Sequence, residues 1–248
     1  MSAEHAAKHL ETISLADEEA VRQLLTQTIF NLWDVVNNLT RLRPSRRDRF
    51  RVTLFGSARA APGSFVYEEC KRVAHALAEL GCDIITGGGP GLMQAANEGA
   101  AAAGASERSR SLGIRIDLPF EQEGNPFVDE MFTHKTFFTR LHQFVLMSDA
   151  YVVAPGGIGT VLEASMIWQL LQVRHAPEAP LVFVGKMWKE WVEWAERSML
   201  GQGLELADPR DLQIPRCVDS GAEAVEIIRQ QHAAWLDSQR KREAQSTE

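Results

Sequence analysis

The chain has 248 residues, of which 45% are hydrophobic and 24% charged, with a formal net charge of −7. That length suits one large α/β domain or two small ones, and the acidic balance argues against a nucleic-acid partner. No apolar run approaches the ~20 residues that a membrane-spanning helix needs, and the opening Met1-Ser2-Ala3-Glu4-His5 lacks the basic-then-apolar order of a secretory signal. Three widely spaced cysteines (Cys70, Cys82 and Cys217) offer neither a disulfide framework nor a zinc pattern. The expectation is a soluble, cytoplasmic protein with buried, inert thiols and no membrane partner.

In chain order, residues 1–13 read as frayed. A helical extension over 14–43 follows, with Ser14 as its N-cap, Asp17, Glu18 and Glu19 in its first turn, and Pro44 ending it. Val21, Leu24, Leu25, Ile29, Leu32, Val36 and Leu39 recur there at helical spacing. The basic stretch from Arg41 to Arg51 reads as a solvated linker. From Arg51 the rhythm becomes strand, glycine turn, helix. Strands are expected at Val52–Phe55, Cys82–Ile85, Leu112–Leu118, Met131–Thr133, Tyr151–Ala154 and Leu181–Val184. Helices are expected at Phe65–Leu80, from Pro90 to about Ala103, at Phe137–Met147, from Thr160 to about Val173, at Met187–Leu200 and at Ala222–Leu236. This alternation predicts a Rossmann-like, doubly wound parallel sheet with added N- and C-terminal helices. Residues 51–236 form its single nucleotide-binding domain, and 237–248 read as a polar tail.

Three glycine-bearing turns fall at strand ends: FGSAR (Phe55 to Arg59), TGGGPGLM (Thr86 to Met93) and PGGIGTVLE (Pro155 to Glu163). In a doubly wound sheet, ligands bind beyond the carboxyl ends of the strands, where the strand order reverses. Glycines let the backbone approach an anion, and a helix N-terminus offers N–H groups and a positive dipole end. A phosphate fits such a site, with Gly56, Ser57, Arg59, Gly88, Gly89, Gly91, Met93, Gly156, Gly157, Gly159 and Thr160 as the candidate binding residues. No Gly-Lys-Ser/Thr follows, so this is not a Walker A loop, and the glycine spacing is wrong for a dinucleotide fingerprint. A mononucleotide is the expected ligand.

The sequence PGGIGTVLE matches the PGGxGTxxE motif, and with FGS and GGGPGLM it resembles the LOG family of cytokinin riboside 5′-monophosphate phosphoribohydrolases, proteins often labelled lysine decarboxylases. The resemblance covers roughly Arg51 to Val184. It implies hydrolysis of a purine nucleoside 5′-monophosphate, AMP or a cytokinin type, to free base and ribose 5-phosphate, by a homodimer or larger homo-oligomer without a cofactor. It also implies that Arg140 and Glu163 are the catalytic pair. Physically, cleaving an N-glycosidic bond builds positive charge on the ribose, so a carboxylate near the anomeric carbon helps, and an arginine can orient it. Two positions depart from familiar plant-type members, Leu141 for a basic residue and Leu162 for a second glutamate. The long N-terminal helix and IDLPFEQEGNP (Ile116 to Pro126) resemble a longer bacterial subgroup.

Other residues carry less. His134, Lys135 and His142 lack a third metal ligand at sensible spacing, so no metal is expected. Lys135 as a Schiff-base lysine lacks the expected pyridoxal context. Phe137, Phe138 and Phe144 read as core, and Asp117 as a turn former. Trp188, Trp191 and Trp194 read as a helix face in the core or at a subunit contact. The competing function is a non-catalytic nucleotide or molybdenum-cofactor carrier of similar fold. A carrier needs the turns but has no need of Arg140 and Glu163.

Overall fold

The computed structural model describes residues 13–39, 48–104, 109–117, 124–174, 176, 178–201, 203 and 205–245, the side chains of 34–39, 243 and 245 excepted. The chain divides into two compact units, Met1–Arg46 and Arg47–Glu248.

The first unit holds helix α1 (Glu18–Leu39). Its start is three residues later than Ser14 as N-cap would place it. Asp17 Oδ1 accepts from Ala20 N at 3.0 Å, while Ser14 Oγ reaches only Ala16 N, so Asp17 is the cap and Ser14 belongs to the preceding turn. Leu24, Leu25, Ile29 and Leu32 are exposed on this helix. The expected stop at Pro44, and the side chains of Val36 and Leu39, lie outside the described residues.

The second unit is a seven-stranded parallel sheet in the order β4-β3-β2-β1-β5-β6-β7. Its strands are β1 (Arg51–Phe55), β2 (Asp83–Thr86), β3 (Ser111–Ile116), β4 (Glu130–His134), β5 (Ala150–Val153), β6 (Leu181–Val184) and β7 (Pro215–Val218). The helices are α2 (Phe65–Glu79), α3 (Leu92–Ala102), α4 (Phe137–Met147), α5 (Ile158–Gln172), α6 (Lys186–Met199) and α7 (Gly221–Gln245). Short strands such as Asp83-Ile84-Ile85-Thr86 are buried at every position, as a sheet covered on both faces requires. Alternate residues feed two cores. Val52, Leu54, Ile84, Val152 and Val182 pack with α2, α3 and α7, whereas Phe55, Ile85, Tyr151, Val153 and Phe183 pack with α4, α5 and α6. The fold is therefore the α/β Rossmann-like one expected.

Several elements differ from the sequence reading. β3 ends at Ile116, and Leu118 lies outside the described residues. β7 escaped because it opens on Pro215 and exposes Arg216 and Cys217, the composition of an edge strand. α7 runs to Gln245 rather than stopping near Leu236. Cys70 and Cys82 are buried, their thiols pushed up to about 12 mainly by desolvation, but Cys217 is exposed and corrects the expectation of three buried thiols. Phe144 is core, while Phe137 and Phe138 are exposed at the start of α4. The tryptophan face is also split: Trp188 is fully buried, Trp191 is half-buried and Trp194 is exposed.

Trp188 links this core to the turn after β5. Its ring lies 4.9 Å from Phe183 and 5.4 Å from Trp191, and its Nε1 donates to Ala154 O at 3.1 Å. Trp188→Ala should lose about 3–5 kcal/mol of stability by leaving a cavity and an unpaired carbonyl. Urea unfolding would measure this, and a loss below about 1 kcal/mol would contradict the anchoring role.

Candidate functional site

Strand order reverses between β1 and β5, which are hydrogen-bonded neighbours with connections running outward on either side. The FGS turn follows β1, the PGG turn follows β5, and the GGG turn follows β2, the other neighbour of β1. All three meet at the carboxyl edge of the sheet centre. The backbone of Ser57 ties them together: its N–H donates to Pro155 O at 3.1 Å and its carbonyl accepts from Leu92 N at 2.8 Å. Gly91 sits at φ +67, and a Cβ there would run into Ser57 O and Ala58, so only glycine permits this contact.

Within the GGG turn, Met93 packs back over Gly87 and Gly89, where an added Cβ would lie 2.6 and 2.9 Å from its side chain. In the PGG turn, Thr160 folds over Gly156 and is buried, whereas nothing lies within 4 Å of a Cβ built on Gly157 or Gly159. That open face is the N-terminus of α5, with Gly157 as N-cap. Arg59 is exposed just beyond Ser57, whose Oγ accepts from Arg59 N at 3.1 Å. The expected binding residues therefore converge, with Arg59 at the rim and Ser57 holding the turns through its backbone.

Arg140, on α4, enters the same edge. Its Nε donates to Ile114 O at 3.0 Å, its guanidinium carbon lies 5.2 Å from the Phe144 ring, and Nη2 lies against Gly87. Nη1 donates to Glu163 Oε1 at 2.9 Å, across 23 residues of sequence. The two side chains are only 12% and 11% exposed. Glu163 lies in the second turn of α5, not in the first as a helix starting at Thr160 would place it, about 7.5 Å along the axis from Ile158. Burial pushes its carboxyl above the ordinary range, while the charge and hydrogen bond of Arg140 pull the other way.

A set of residues outside the expected binding residues supports the GGG turn. Thr86, Asn97, Ser111 and Asn125 are all buried. Thr86 Oγ1 accepts from Gly88 N at 2.9 Å and donates to Asn97 Oδ1 at 2.7 Å, and Asn97 Nδ2 donates to Ser111 Oγ at 2.8 Å. One signal could have found Asn97: it is a polar residue on the core-facing side of an alanine-rich helix.

The remaining candidates stay apart. His134 pairs with Gln143, the rings of Phe138 and His142 stack, and Lys135 and Asp117 are exposed. Among the described residues no group of three or more His, Cys, Asp or Glu could hold a metal, and no helix is long and apolar enough to cross a membrane. A cavity of about 800 Å³, lined by Gln172, Arg174, Asp208, Arg210 and Arg216 among others, lies at the amino ends of β6 and β7, away from the glycine turns. Ligands of this fold class bind at carboxyl ends, so the glycine shelf and not that cavity is the candidate site.

A family model described as "Possible lysine decarboxylase" matches residues 93–228, a span that includes Arg140, the PGG turn and Glu163. The chain belongs to this family. The assignment agrees with the LOG-type resemblance drawn from PGGIGTVLE. Over 125 residues the chain is 34% identical to the pyrimidine/purine nucleotide 5′-monophosphate nucleosidase of Escherichia coli K12, a match covering 48% of this chain but only 28% of that relative. Two solved structures share the fold. The molybdenum cofactor binding protein of Rippkaea orientalis has a TM-score of 0.54 at 19% identity, covering 75% of this chain and 98% of the other. The molybdenum cofactor carrier protein of Chlamydomonas reinhardtii has a TM-score of 0.54 at 19% identity, covering 73% and 97%.

The Glu163 carboxyl should titrate above the ordinary glutamate midpoint of about 4.3 when followed by carbon-13 NMR. Arg140→Met, which removes the lowering charge and hydrogen bond, should raise that midpoint further. A midpoint at or below about 4.3 in the unaltered protein would show that Arg140 outweighs burial.

Proposed function

We propose that this protein hydrolyses the N-glycosidic bond of a purine nucleoside 5′-monophosphate, AMP or an N6-modified relative, releasing free base and ribose 5-phosphate. The observation that carries this reading is the buried Arg140–Glu163 pair, 2.9 Å apart, at the edge of three glycine turns. The 5′-phosphate would rest on the GGG and PGG turns at the open N-terminus of α5. Glu163, about 7.5 Å further along that helix, would then face the anomeric carbon. As the C1′–N bond breaks, its electrons leave with the base and positive charge grows on the ribose, where the carboxylate stabilises it or takes a proton from the attacking water. Arg140, fixed by Ile114 O, orients that carboxylate. Membership of the family and likeness to a nucleotide nucleosidase support the reading. We extend the same proposal to a homo-oligomeric assembly and to a single nucleotide-binding domain over 51–236. The likeness to cofactor carriers concerns fold, and a carrier has no use for the buried ion pair.

Glu163→Gln keeps the side chain's shape but removes its charge, and should lower base release from AMP by at least about a hundredfold while AMP binding survives. Chromatographic assay of adenine on purified protein tests this, and unchanged turnover would sink the assignment. The 5′-phosphate should also be required, because a remote anchored group supplies binding energy that positions the ribose. Adenosine should have a kcat/KM at least about a hundredfold below that of AMP; equal values would mean that the turns do not hold a phosphate.

A further inference from the structure

Asn125 donates two hydrogen bonds to the GGG turn and a third to Asn97 on α3. Its backbone N–H donates to Gly88 O at 2.9 Å, and its Nδ2 donates to both Gly89 O and Asn97 Oδ1 at 3.0 Å. Its Oδ1 accepts from Phe127 N at 3.2 Å, so the side-chain amide is used at both ends. Asn97, fully buried behind it, holds Thr86 Oγ1, and that hydroxyl accepts from Gly88 N. The peptides on either side of Gly88 are therefore gripped in opposite senses, one by its N–H and the other by its carbonyl.

A trans peptide carries its C=O and N–H on opposite sides, and no cis peptide occurs among the described residues. With Gly88 O drawn to Asn125, the Gly89 N–H points away from the network. Gly89 O is drawn to the same side, and the next residue, Pro90, has no N–H. An anion is held by amide N–H groups and repelled by carbonyl oxygens. Gly88, at φ +69, adopts a backbone conformation that glycine reaches at little steric cost. Glycine thus makes this conformation accessible, but something else has to select it.

We infer that Asn125 is a positioning residue that sets the polarity of the GGG turn, keeping the Gly88 and Gly89 carbonyl oxygens off the side that a phosphate occupies. This rests on the reading that the turn holds the 5′-phosphate. Aspartate cannot replace it: a carboxylate oxygen in place of Nδ2 would face Gly89 O and Asn97 Oδ1 with no proton to share, and the turn would keep only the backbone bond from residue 125 to Gly88 O while its hold on the Gly89 carbonyl is lost.

The test compares full-length Asn125→Asp and Asn125→Ala with the unaltered protein, using AMP and adenosine as substrates and thermal unfolding as a control. Asn125→Asp should raise KM for AMP about tenfold or more, with kcat changed less than about threefold, and the AMP-over-adenosine preference in kcat/KM should shrink by a similar factor. Asn125→Ala, which drops the side-chain donors without adding charge, should shift the same way by less, and it decides the matter if the aspartate variant does not fold. A merely structural role would lower Tm and kcat together while leaving the preference for the phosphorylated substrate unchanged, and that pattern overturns the inference. If the unaltered protein releases no base, the proposed reaction fails separately. The ratio of AMP to adenosine Kd, measured by calorimetry, then replaces the kinetic ratio. A tenfold loss of that ratio in the variants supports the positioning role; an unchanged ratio, or no phosphate preference in the unaltered protein, overturns it.

Discussion

The site depends on the backbone of a single residue, Ser57, which donates to Pro155 O and accepts from Leu92 N. Through those two bonds the loops after β1, β2 and β5 become one surface. The sheet makes this possible, because β1 has β2 on one side and β5 on the other, so their carboxyl ends emerge side by side. Two of the glycines then answer a local demand. Gly91 lets α3 begin against the Ser57 carbonyl, and Gly56 leaves room for Leu92, whose Cδ1 would lie 2.8 Å from an added Cβ. Any side chain at Gly91 would push two of the three turns apart.

The Arg140–Glu163 pair is a poor arrangement for stability taken alone. Withdrawing two charges from water is expensive, and the attraction between them often fails to offset it. Burial pushes the Glu163 carboxyl up against the lowering charge and hydrogen bond of Arg140. Arg140 is held by more than the glutamate, since it also bonds Ile114 O and lies over the Phe144 ring. An arginine anchored independently of its carboxylate partner can hold that partner in one orientation while the charge on a ligand changes. That suits the proposed reaction, in which positive charge appears on the ribose and then disappears.

Much of this was legible in the sequence, for identifiable reasons. Strands such as Asp83–Thr86 and Tyr151–Val153 are short and continuously buried, and glycine punctuation marks their ends, so the alternation of strand and helix could be read directly. The meeting of Arg140 and Glu163 was foreseen through family likeness, not spacing, because nothing local relates residues 23 apart. What was missed depends on tertiary contacts. β7 is an edge strand with outward Arg216 and Cys217, and so lacks an apolar signature. Asn97 and Asn125 act only because α3 and the segment before β4 converge on the GGG turn, a juxtaposition with no sequence period. Asp17 took the cap from Ser14 because both are good capping residues three positions apart, and only backbone geometry selects between them.

Exposure along α5 supplies a further argument about how such a site would divide its labour. Ile158 is 86% exposed, whereas Glu163, five residues later on the same helix, is only 9% exposed. The tip of α5 is therefore open to water, while the helix face that carries Thr160 and Glu163 is turned into the protein. At the open end an anion keeps part of its hydration, and no single turn there could hold it tightly, which is a physical reason for three turns to converge. On the buried face the dielectric falls, and a carboxylate acts on a developing positive charge far more strongly than it would in water. A nucleoside monophosphate carries its permanent charge and its reacting carbon at opposite ends of the ribose. In the proposed reaction the contrast between the open tip of α5 and its buried face would match that polarity: the tip would bind and release the phosphate, and the face with Glu163 is where transition-state charge would be worth most. A site with the phosphate buried and the carboxylate exposed would bind more tightly and stabilise the developing ribose charge less.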